Sequence, residues 1–115
     1  MAEFNAVLRE KDNINIIDVK GFLDAHTAPD LENILTGLIN ESKFRVVVNF
    51  KELDYISSAG LGVFMAYIEQ MRENNGDIKL AEMKTQVYNI FDLLGFPILY
   101  DILQTETEAL NKFNQ

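Results

Sequence analysis

The 115-residue chain has no cysteine and no tryptophan, only two prolines and a single histidine. Without cysteine there is no disulfide, no thiolate metal site and no thiol nucleophile. His26 has no second imidazole with which to share a metal, and it reads as a loop residue ahead of a helix rather than a catalytic base or a pH-sensitive contact. Long apolar runs are missing as well. No segment approaches the roughly 18 consecutive apolar residues of a membrane span, and the start, MAEFNAVLREKDN, lacks the basic and apolar regions of a secretion signal. A cytoplasmic address with no membrane contact is the expectation. Positive charge is scarce, with 10 Lys+Arg against 18 Asp+Glu and a net charge of -8. That balance opposes binding to nucleic acid or anionic lipid, and suits a basic protein partner or plain solubility.

What is present is a hydrophobic fraction of 48%, enough for one core in one domain spanning residues 1–115. Val46, Val47, Val48 and Phe50 form a short β-branched run of the kind buried on both faces of a sheet. After a turn, Leu61, Phe64, Met65, Ile68 and Met71 recur at three- and four-residue steps, which predicts a helix with those residues inward. Val63 and Tyr67 fall off that stripe and are candidates for an exposed docking face, or for a flank covered by a neighbouring element.

Before this unit, Phe4–Glu10 and Ile14–Lys20 read as antiparallel strands joined by Lys11-Asp12-Asn13. Gly21-Phe22-Leu23-Asp24 leads into a helix with Thr27 as N-cap, Pro29 in its first turn, and Leu31, Ile34, Leu35, Leu38 and Ile39 on its apolar face. Beyond it, Asn74-Asn75-Gly76 ends the central helix with glycine as a left-handed cap, and 78–81 is a strand. A third helix starts at Thr85, with Val87, Ile90, Phe91 and Leu94 inward and Gly95-Phe96-Pro97 closing it. Ile98–Ile102 offers a last strand, and Thr105 with Glu108 is a capping box for a terminal helix through Phe113. The order β-β-α-β-α-β-α-β-α predicts an α/β fold: a mostly parallel, mixed sheet of about five strands with four helices, the first strand antiparallel at the edge.

Sites in such sheets gather at the carboxyl ends of strands, where Tyr55-Ile56-Ser57-Ser58-Ala59-Gly60-Leu61-Gly62 lies. A serine in a first helical turn meets free backbone N–H groups and the positive end of the dipole, so an added phosphate is tolerated there. The small residues around it keep the hydroxyl reachable. Ser57 and Ser58 compete for the roles of cap and modified residue. A catalytic reading finds no histidine base for Ser58, no Gly-x-Ser-x-Gly and no Gly-Lys-Ser/Thr after the glycines. No catalytic residue, cofactor or metal ligand is assigned.

The run Leu53-Asp54-Tyr55-Ile56-Ser57-Ser58-Ala59-Gly60-Leu61-Gly62 resembles the signature of STAS-domain proteins, the bacterial anti-sigma factor antagonists, and the likeness extends over nearly the whole chain. The resemblance implies the STAS fold and places the phosphoacceptor on Ser58, with Ser57 standing where the family usually has Asp. It also implies that Gly21–Thr27 lies beside the serine turn, with Asp24 as a possible interface residue; the other reading is an Asp assisting the helix N-terminus. The partner surface it implies comprises Asp24, Tyr55, Ile56, Ser57, Ser58, Ala59, Gly60, Leu61 and Gly62. The implied partners are an anti-sigma factor that is also a serine kinase of GHKL type, and a serine phosphatase. The alternatives are an unphosphorylated STAS scaffold and a partner switch governing something other than transcription.

Overall fold

The computed structural model describes residues 3–114. Strands β1 (Asn5–Lys11) and β2 (Ile14–Leu23) form a hairpin whose turn residues Asp12 and Asn13 both have positive φ, the twist-matched turn that Asn and Asp tolerate. Then follow α1 (Ala28–Asn40), β3 (Arg45–Ile56), α2 (Ser58–Glu73), β4 (Asp77–Ala81), α3 (Thr85–Leu93), the single turn α4 (Phe96–Leu99), β5 (Ile102–Leu103) and α5 (Glu106–Lys112). The sheet order is β1-β2-β3-β4-β5, antiparallel only between β1 and β2.

A sequential parallel order with right-handed crossovers puts successive helices on one face. Leu31 and Leu35 of α1, Phe64 and Met71 of α2 and Val87 and Phe91 of α3 accordingly share one core with Ile17, Val46, Val48, Phe50 and Leu80. Phe50, Phe64 and Phe91 meet there at ring-centroid distances of 5.6 to 6.2 Å. On the opposite face α5 sets Ala109 and Leu110 over Ile14, Ile16, Val47 and Ala81. Val46, Val47, Val48 and Phe50 are all fully buried, as a central strand covered on both faces requires.

Several local expectations are corrected. The run after Pro97 is helical: Gly95, at φ +79, ends α3 in a left-handed conformation, and Pro97 sits at the start of α4, where its fixed φ suits a helix. Only Ile102 and Leu103 remain to pair with Leu80 and Ala81. Leu94 is 57% exposed, because α3 stops before it. Asn75 rather than Gly76 takes the left-handed conformation; a Cβ at Gly76 would lie 1.9 Å from the Phe44 carbonyl oxygen. β2 continues past Lys20 to Leu23 through register shifts at Gly21, whose φ is +89 and whose Cβ would strike the Glu3 carbonyl at 1.7 Å.

Candidate functional site

The serine turn is built by β2 and β3 ending side by side. Leu23 and Ile56 are buried, and the Ser57 N–H donates to the Leu23 carbonyl at 2.9 Å, so the chain leaves the sheet in a fixed direction. Ser57 then adopts an extended N-cap conformation, and its hydroxyl accepts from the Gly60 N–H at 3.3 Å. Gly60 has no room for a side chain: a Cβ there would be 2.8 Å from Ile56 Cγ1 and 2.9 Å from Leu23. The two serines are thereby distinguished. Ser57 is half-buried and occupied as a cap, whereas Ser58 is exposed at the first helical position, and among the described residues no partner holds its hydroxyl.

Tyr55 (44% exposed) packs on Phe22 (41%) with ring centroids 5.5 Å apart, an aromatic pair presented at the sheet end. Phe22 belongs to the Gly21–Thr27 segment that the resemblance sets beside the serine turn, without being singled out there as a surface residue. Its signal lay in the β2–β3 register, which sets it opposite Tyr55. Asp24 is half-buried and turned into its own loop. Its Oδ1 accepts from the backbone N–H groups of His26 at 3.0 Å and Thr27 at 3.1 Å, and the Thr27 hydroxyl donates to the Phe22 carbonyl at 2.9 Å. Asp24 thus assists the start of α1, and Thr27 makes no side-chain cap. Asp54 and Lys84 form an ion pair at the end of β3.

The structure brings Asp24, Tyr55, Ser57, Ser58, Ala59 and Gly62 to one end of the sheet but turns Ile56, Gly60 and Leu61 inward. Val63 is the main correction. It is 3% exposed, on the flank of α2 that faces α1, where Tyr67 Oη and Thr36 Oγ1 lie 3.2 Å apart in a hydrogen bond. Tyr67 is half-buried by the same contact. Met65, expected in the core, is instead 56% exposed on the other flank.

Groups with shifted proton affinity belong to structural ties rather than to the serine turn. The Glu106 carboxyl is held below the usual range by hydrogen bonds from Arg9, against the opposing effect of burial and with help from Asn49. Asp101 is lowered by its hydrogen bond from Lys79, and burial raises Tyr100. No group of three or more His, Asp or Glu fit to hold a metal occurs among the described residues. None of their helices is long and apolar enough to cross a membrane.

The family model described as STAS domain matches residues 5–109. The chain belongs to the STAS domain family. Its relatives include BtrV of Bordetella bronchiseptica, named as a candidate anti-sigma factor antagonist, 31% identical over 102 residues that cover 89% of this chain and 88% of that one. An anti-sigma factor antagonist from Mycobacterium paratuberculosis superposes with a TM-score of 0.90 at 19% identity, covering 98% of this chain and 96% of that one. The Bacillus cell fate determinant SpoIIAA in its phosphorylated form gives 0.72 at 19% identity, covering 96% and 98%. At those identities the structures speak for the STAS fold alone.

Proposed function

We propose that this STAS protein, as a single domain over residues 1–115, is an anti-sigma factor antagonist working in the cytoplasm by binding rather than catalysis. In its unphosphorylated form it docks on an anti-sigma factor that is also a serine kinase of GHKL type, and so frees the sigma factor. Phosphorylation of Ser58 ends the contact, and a serine phosphatase restores it. The carrying observation is the division of labour at the turn: Ser57 caps α2 through its hydroxyl, leaving exposed Ser58 as the hydroxyl a kinase can reach. The docking face joins Tyr55 and Phe22 with Ser57, Ser58, Ala59 and Gly62, and Asp24 contributes by holding its loop in place. A phosphate adds a charge of about -1.5 to -2 and desolvates poorly inside a contact of this kind.

Incubation with a GHKL-type kinase and Mg-ATP, followed by peptide mass mapping, tests the reading. Phosphate on Ser58, lost in Ser58→Ala and kept in Ser57→Ala, is expected; phosphate confined to another residue, or none, overturns it.

A further inference from the structure

Beside Ser58, on the flank of α2 away from α1, lies a cavity of about 340 Å³ lined by Ser58, Gly62, Met65, Leu94, Phe96 and Leu99. The wall facing α2 is held by ring packing and a hydrogen bond. Phe96 is buried against Phe91 and Tyr100 at centroid distances of 5.0 and 5.1 Å, and an Arg72 N–H donates to the Leu99 carbonyl. The break at Gly95 therefore fixes Leu94 and Leu99 in water at 57% and 56% exposure, with Leu93 and Ile98 further out at 85% and 88%. A contiguous apolar patch on so acidic a chain marks a contact surface. Gly62 supports this: it lies in the second turn of α2, where glycine weakens the helix, and an added Cβ would meet nothing within 4 Å, so no contact among the described residues calls for a glycine there.

We infer that this cavity is the socket for an apolar side chain of the kinase partner, presented from a basic surface, with Ser58 on its rim. The inference deepens the proposed function and rests on it. A second copy is disfavoured as occupant because each chain carries a net charge of -8, and like charge opposes self-association. The socket also accounts for release by one phosphate, since a dianion at the mouth of an apolar contact must lose its hydration without a partner to replace it.

The test is calorimetric titration of the GHKL-type kinase with the unphosphorylated wild-type protein and with Leu94→Ser, Leu99→Ser and Gly62→Leu, alongside melting and sedimentation of each variant alone. The inference expects a tenfold or greater loss of affinity in all three, with the wild type monomeric and the melting temperatures of the two exposed leucine variants unchanged. Wild-type binding matched by Leu94→Ser and Leu99→Ser overturns the socket but leaves the proposed function standing. A wild type that binds no kinase overturns both. A wild-type dimer dissolved by the substitutions overturns the choice of occupant.

Discussion

Two neighbouring hydroxyls differ at the turn because only one of them has a backbone donor to satisfy. Removing the Ser57 side chain in Ser57→Ala leaves the Gly60 N–H without its acceptor, and losing an N-cap of this kind costs about 1 kcal/mol. A fall of a few degrees in melting temperature, read by calorimetry, is expected, with Ser58 still modified by the kinase. Ser58→Asp acts in the opposite sense on the fold. A negative charge in the first turn of α2 meets the positive end of the helix dipole, worth roughly 0.3–1 kcal/mol, so the melting temperature should hold or rise slightly while kinase affinity falls at least about tenfold. Lost affinity accompanied by a fall of several degrees would mean a damaged fold and sink the charge mechanism. The motif made both serines legible, but which one caps depends on the Ser57–Leu23 hydrogen bond, a contact 34 positions apart in the chain that local pattern does not carry. Val63 and Met65 show the same limit. Both flanks of the α2 stripe are apolar, and the position of α1, with its Thr36–Tyr67 bond, decides which flank is covered.

Among the elements, α5 is short, and it is fastened by polar ties as well as by Ala109 and Leu110. Its capping box is complete, with Thr105 accepting from the Glu108 N–H and Glu108 from the Thr105 N–H. Glu106, at its first position, pairs with Arg9 of β1 and accepts from Asn49 of β3 at 2.9 Å. Because these donors favour the ionised carboxyl, the folded protein binds the Glu106 proton less readily than the unfolded chain does. The resulting stability is present above the ordinary glutamate range and is lost as pH falls through the depressed folded value. Asp101, lowered by Lys79, adds to the same acid limb. Urea unfolding as a function of pH should therefore show Glu106→Gln less stable near neutrality and with a flatter decline on acidification; an acid limb identical to wild type would remove Glu106 from the account. The capping box made this helix readable in the sequence. The segment before it was not, since Phe-Pro-Ile-Leu-Tyr is apolar in a way that fits strand or helix, and the left-handed Gly95 together with the burial of Phe96 and Tyr100 selects the helical turn.

At the scale of the whole molecule, the alternation of strands and helices was enough to predict the parallel sheet and to place the serines at its carboxyl end, because crossover handedness leaves few topologies open. Surface character at that end was less accessible, since the Phe22–Tyr55 pair joins two strands and the Leu94–Leu99 wall faces Ser58, Gly62 and Met65 of a helix far earlier in the chain. Both apolar features lie at the Ser58 end of a molecule whose net charge is -8, and apolar contact and charge govern different stages of association. Long-range charge steers the encounter with a basic partner and is screened within a Debye length of about 8 Å at physiological salt. Desolvated contacts at the docking face set how long the complex lasts. Stopped-flow measurement between about 50 and 500 mM salt should then show the association rate falling by about tenfold or more while the dissociation rate changes little. Leu99→Ser should do the reverse, leaving association nearly unaltered and speeding dissociation. An association rate indifferent to salt would show that the acidity of the chain serves only to keep it dispersed, and that its partner is found by shape and apolar contact alone.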